Sequence, residues 1–101
     1  MIELGDRFRR SLEEFKRILS DLRRVDSLES LRHCFWLIYD VVKDHLEPKV
    51  VFTIYTDDIA REIFAHELGD NNVSFYLRNG LKITYMAIPD AGRFRIDIAR
   101  A

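Results

Sequence analysis

HCFWLIYDVV, residues 33–42, places eight apolar side chains in ten positions. Phe, Trp, Ile, Tyr and Val all favour strands, so the stretch reads first as β. Its surroundings point the other way. Asp26 and Glu29 make a capping-box-like start upstream, and Pro48 disfavours helical geometry in the residue before it. Leu28, Leu31, Phe35, Ile38 and Val42 recur at helical spacing. The spacing predicts a helix from about Ser27 to Glu47. On a wheel of 100° per residue, Leu28, Leu31, Phe35, Ile38, Tyr39, Val42 and Leu46 form one stripe, widened by Cys34, Leu37 and Val41. The apolar arc spans roughly 200°, about twice what a helix lying on one surface needs. This helix must therefore touch two surfaces, a first helix and a sheet. Trp36 falls outside the stripe, among Arg32, His33, Asp40 and Lys43.

Upstream, Phe8, Leu12, Phe15, Leu19 and Leu22 make a seam spaced 4, 3, 4, 3. They predict a helix over about Asp6–Arg24, lying over the second helix. The remaining face is charged, with Arg10–Glu14, Glu13–Arg17 and Arg17–Asp21 at i, i+4.

Downstream, KVVFTIY (Lys49–Tyr55) reads as a first strand. Thr56 or Asp57 caps a third helix, about Asp58–Leu68, with Gly69 as its stop. Three strands follow: Asn72–Leu77, Leu81–Ile88 and Arg93–Ala99. Asn79-Gly80 alone suggests a two-residue turn. A three-residue loop, Arg78-Asn79-Gly80, instead pairs Leu77 with Leu81, Phe75 with Ile83 and Val73 with Tyr85. Every pair is then apolar, and burial sets register. The four-residue turn Pro89–Gly92 pairs Ala87 with Phe94, Tyr85 with Ile96 and Ile83 with Ile98. The outer face then carries Ser74, Tyr76, Lys82, Thr84, Met86, Arg95 and Asp97.

The expected fold is α+β, in the order α-α-β-α-β-β-β. An N-terminal helical hairpin packs on a mainly antiparallel four-stranded sheet. The 101 residues form a single domain, with 1–47 the hairpin and 48–101 a β-α-β-β-β unit.

Composition narrows the function classes. The net charge is −1, so no global charge draws the chain to nucleic acid or acidic membranes. A single cysteine, Cys34, excludes an internal disulfide framework and fits a reducing compartment. MIELGDRFRR lacks the apolar core of a signal peptide, and no apolar run approaches the roughly 20 residues of a membrane span. A cytoplasmic location is expected. The 33% charged fraction and the absence of glutamine fit a thermophile's composition.

No catalytic constellation emerges. His66-Glu67 lacks the second histidine of HExxH, because position 70 is Asp70. His33, Cys34, His45 and His66 have no metal-ligand spacing. Asp57, Asp58, Glu62 and Asp90 read more simply as caps and turn residues than as a cation site. No serine sits in a nucleophile elbow, and no phosphate-binding glycine loop is present. No enzyme activity, cofactor or metal is expected.

Two partner surfaces remain. Trp36, with Leu37 and Val41, has the character of an interface anchor, since Trp is enriched at binding hot spots. This predicts a non-catalytic protein-interaction or assembly module, a homodimer or a subunit of a small complex. The alternative uses the basic C-terminal strands. Residues 71–101 carry five basic and two acidic side chains. Tyr76, Arg78, Lys82, Arg93 and Arg95 would form an RNA- or DNA-binding face.

One family pattern covers residues 49–93: a strand, the helix TDDIAREIF, a hairpin turning at RNG, then AIPDA. It resembles the small dimerising subunit of the archaeal and eukaryotic KEOPS complex, which takes part in tRNA threonylcarbamoyl modification. The matching positions are Ala87, Asp90 and Arg93. That family continues into a long C-terminal helix, where this chain has RFRIDIAR. The resemblance implies dimerisation and non-catalytic support of a tRNA-modifying partner.

Overall fold

Two helices and a short third cover one face of an antiparallel sheet. The computed structural model describes residues 2–47 and 56–101. Helix α1 spans Ile2–Leu22 and α2 spans Leu28–Val42, followed by one turn of 3-10 helix, Lys43–His45. Strand β1 is Leu46–Glu47, helix α3 is Thr56–Glu62, and strands β2 to β5 are Ile63–Leu68, Asn72–Leu77, Leu81–Ile88 and Arg93–Arg100. Among these residues the strand order is β1-β5-β4-β3-β2. Strands β2 to β5 pair antiparallel, and β1 adds a short parallel pairing, Leu46 with Phe94 and Glu47 with Arg95. The expected α+β class, with a helical hairpin on a mainly antiparallel sheet, is what the chain forms.

Helix α2 begins where expected, but Ser27 caps it rather than Asp26. The Ser30 N–H donates to the Ser27 Oγ at 3.1 Å. The helix ends at Val42, short of the expected Glu47. Leu46 is buried and extended (ψ 143°), and its backbone pairs with β5. Sheet pairing at the far edge thus takes these residues from the helix.

The sheet explains the wide apolar arc of α2. Phe35 stands edge-on to Phe75 of β3, with ring centroids 5.1 Å apart, and lies 5.9 Å from Tyr85 of β4. Helix α1 does not lie over α2, contrary to expectation. It lies beside it, directly on the sheet: Phe8 and Phe15 sit 5.3 and 5.1 Å from Phe94 of β5. Both helices therefore form one layer, and each keeps an outward face.

The C-terminal register is as expected. Phe75 pairs with Ile83, Val73 with Tyr85, Tyr85 with Ile96 and Ala87 with Phe94. Gly80 takes φ +89° in the three-residue loop, a conformation that favours glycine. The Leu81 N–H donates to Asn79 Oδ1 at 3.0 Å, closing the turn. Ile98, expected inside, is 49% exposed. Beyond Arg95, β5 has no second strand partner among the described residues.

Residues 63–68 overturn the reading of a helix to Leu68. The helix stops at Glu62, and Ile63–Leu68 pairs with β3. A bulge between Ile63 and Ala65 shifts the alternation. Ile63, His66 and Leu68 therefore pair with the inward-facing Leu77, Phe75 and Val73. Ile59, Ala60, Ile63, Phe64 and Leu68 share one side of a helical wheel, which is why the stretch reads as helix, but Phe64 is 49% exposed. Gly69 is not a helix stop but part of the β2–β3 turn, where its N–H donates to the Asn72 carbonyl at 2.9 Å. The strand KVVFTIY, Lys49–Tyr55, lies outside the described residues.

One core group lacks a partner. The Tyr85 side chain is fully buried, and its hydroxyl has no hydrogen bond among the described residues. Burial pushes its pKa up, with a smaller push from Tyr39. A buried hydroxyl without a partner costs about 1–3 kcal/mol. Tyr85→Phe should therefore raise unfolding stability by about 1 kcal/mol in a urea titration, with no change in slope.

Candidate functional site

The outward face of the helical layer follows from how α2 is seated. Its inner side is fixed by Leu31, Phe35, Ile38 and Val42, all buried. Successive residues turn 100°, so Trp36 and Leu37 emerge away from the sheet with His33 and Asp40 between them. They are 39% and 38% exposed; Leu28, the first residue after the cap, is 40% exposed although it lies on the Phe35 side of the helix. Val41 is only half-buried and packs against the core. Of the three expected interface residues, Trp36 and Leu37 thus stand outward and Val41 sits at their margin. The sequence places Leu28 in the buried stripe, and the structure leaves it exposed at the helix end. The signal was its position in the first turn.

The charges around these residues are uneven. Residues 5–24 carry seven basic and four acidic side chains, and residues 25–46 carry two basic and four acidic. Arg17 is held by Glu14 at 2.6 Å and lies 3.7 Å from Asp21. The hydrogen bond from Arg17 holds the Glu14 carboxyl below the usual carboxylate range. Arg9 lies 3.9 Å from Asp6. Arg10 and Arg24 are exposed and make no ion pair among the described residues. On α2, Asp40 is paired with Lys43 at 2.8 Å, while Glu29 is exposed without an ion pair among the described residues.

The five nucleic-acid candidates share the outer sheet surface but do not converge. Tyr76, Lys82 and Arg78 cluster at the β3–β4 turn. Arg95 pairs with Met86 and Arg93 with Ile88, which puts them about 13 and 20 Å along the strands from Lys82. The face also satisfies itself. The Tyr76 hydroxyl donates to Glu67 at 3.2 Å, Arg95 donates to Asp97 at 3.3 Å, and the Ser74 and Thr84 hydroxyls share a bond at 2.8 Å. Burial, then the Glu67 contact, pushes the Tyr76 pKa up. Tyr76 and Arg95 are thus committed to carboxylates.

Two open grooves flank α1. One of about 550 Å³ runs between Gly5, Phe8, Arg9 and Leu12 and the turn Pro89–Gly92. The other, about 300 Å³, lies between Lys16, Leu19, Ser20 and Arg23 and the loop residues Asp70 and Asn71. The first sets Arg9 across from Asp90 and the second sets Lys16 and Arg23 across from Asp70, and neither lining includes a His or Cys. His66 turns inward, its Nε2 3.1 Å from the Leu22 carbonyl at the end of α1. The carbonyl accepts, so Nε2 carries the proton and His66 caps the helix. Cys34 is buried, and burial pushes its thiol pKa up, with Asp21 adding to it. Glu62 and Asp90 lie at opposite ends of the sheet: the Glu62 carbonyl accepts from Arg78 at the β3–β4 turn, and Asp90 sits in the β4–β5 turn. Among the described residues no three His, Cys, Asp or Glu side chains gather as metal ligands. No helix there is long and apolar enough to cross a membrane.

No family model, no curated protein and no solved structure matches this chain.

Proposed function

We propose that this protein is a non-catalytic interaction or assembly module whose contact surface is the outward side of α2. The observation that carries this reading is the joint exposure of Trp36 and Leu37, 39% and 38%, on a helix whose opposite side is buried in the core. Large apolar side chains spaced along one helix, with charges between them, have the make-up of a small interface. The KEOPS-subunit resemblance implies the same type of role. The outer sheet face supports nucleic-acid binding less well, because Tyr76 and Arg95 already engage Glu67 and Asp97.

The test is association of the purified protein, with itself or with a co-purifying subunit, before and after Trp36→Ala/Leu37→Asp. Both sites are surface positions, so the fold should persist by circular dichroism. The expected result is at least a tenfold weaker association. Unchanged association would sink the reading. An absorbance ratio typical of bound nucleic acid, lost at high salt, would favour the sheet face instead.

A further inference from the structure

The two helices of the outward layer differ in charge, and their charges run in matching order. In its N-terminal half α1 presents Arg7 and Arg10 beside Glu13, and its following turn presents Arg24, while Asp6, Glu14 and Asp21 are taken up by Arg9 and Arg17. From C-terminus to N-terminus, α2 and its flanks present Asp44 and Asp40, then Glu29 and Asp26. Arg10 and Arg24 have no ion-pair partner among the described residues, nor does Glu29.

We infer that the partner of this surface is a second copy of the chain, docked helical layer to helical layer about a two-fold axis parallel to the helices. The inference rests on the interaction reading above and names its partner. Geometry selects the axis. The helices lie side by side on the sheet, α1 on β5 and α2 on β3 and β4. They are joined by the short turn 23–27, so they run in opposite directions. A two-fold across the helices would set α1 on α1 and α2 on α2, with like charges facing. A two-fold along them sets α1 antiparallel on the partner's α2. Arg10 then faces the acidic end that carries Asp40, and Arg24 faces the end that carries Glu29. Both contacts occur twice, as an isologous interface requires. Trp36 and Leu37 supply the apolar part and the charges supply direction, the usual division between affinity and specificity. These helices lie outside residues 49–93, which carry the family resemblance. Two helices about 10 Å across and 20–30 Å long bury on the order of 500 Å² per protomer, so the dimer is a weak one.

The experiment is a charge swap read by sedimentation velocity at tens of micromolar protein in low salt. One variant is Arg10→Glu/Arg24→Glu, the other Glu29→Lys/Asp40→Lys, each checked for fold by circular dichroism. The wild type should be a dimer, and each variant alone a monomer, because its helical layers now meet with like charges. Mixed in equal amounts, the two should form a heterodimer, because reversed α1 then meets reversed α2. If a double variant loses its fold, Arg10→Glu with Asp40→Lys gives the same swap with single changes. A monomeric wild type overturns the proposal, as does a variant that stays dimeric or a mixture of folded variants that stays monomeric. A dimer lost on Trp36→Ala/Leu37→Asp but not re-formed by the swapped mixture removes this geometry and leaves the interaction reading intact. Association with another protein that the Trp36 and Leu37 changes do not alter removes that reading instead.

Discussion

Phe35→Ala should remove a large share of the protein's folding stability, about 3–5 kcal/mol. Phe35 is fully buried and joins the helical layer to the sheet through the rings of Phe75 and Tyr85. Truncating a buried Phe costs about 3–5 kcal/mol, from lost transfer energy and from the cavity left behind. Domains of this size hold only about 5–15 kcal/mol in total. The site cannot collapse easily, since Phe75 and Tyr85 are anchored in adjacent, paired strands. A urea titration should show a midpoint far below that of the wild type. Phe35→Leu, which restores most of the volume, should recover the larger part of the loss.

Phe94→Ala should cost a similar 3–5 kcal/mol but express it elsewhere. Phe94 is fully buried under Phe8 and Phe15, 6.4 Å from His45, and pairs with both β1 and β4. It is the main seat of α1 on the sheet. Its loss should release α1 before the β3–β4 hairpin opens. Hydrogen exchange should therefore show the largest loss of amide protection in residues 8–22, with β3 and β4 less affected. The reverse pattern, with β3 and β4 losing protection first, would show that α1 is held mainly by α2.

The contrast between these two centres shows what was legible in the sequence. The β3–β4–β5 register was readable because every inward position from Val73 to Ile96 is apolar, and only one pair of loop lengths keeps those positions together. The start of α2 was readable from its cap, and its wide apolar arc announced two neighbours. The layer order was not readable. Phe8 and Phe15 fit a helix against a helix as well as a helix against Phe94. Strand β2 was misread because Ile59, Ala60, Ile63, Phe64 and Leu68 fall on one side of a helical wheel, and the bulge hides the strand's alternation. The exposure of Trp36 was legible from the wheel, whereas Leu37 reads there as part of the widened apolar arc. The charge contrast between the helices was hidden, because residues 1–46 sum to zero when taken together.

The pairing of Phe94 with Phe8 and Phe15 also sets an order of events when the chain is made. Phe8 leaves the ribosome 86 residues ahead of Phe94. At about 5–20 residues per second, the underside of α1 waits several seconds or more for its cover. Helix α2 waits for Phe75 and Tyr85 in the same way. Until the last strand emerges, the helical hairpin travels with its apolar side open to solvent. A ribosome stalled before residue 94 carries a hairpin whose apolar side has no sheet to cover it.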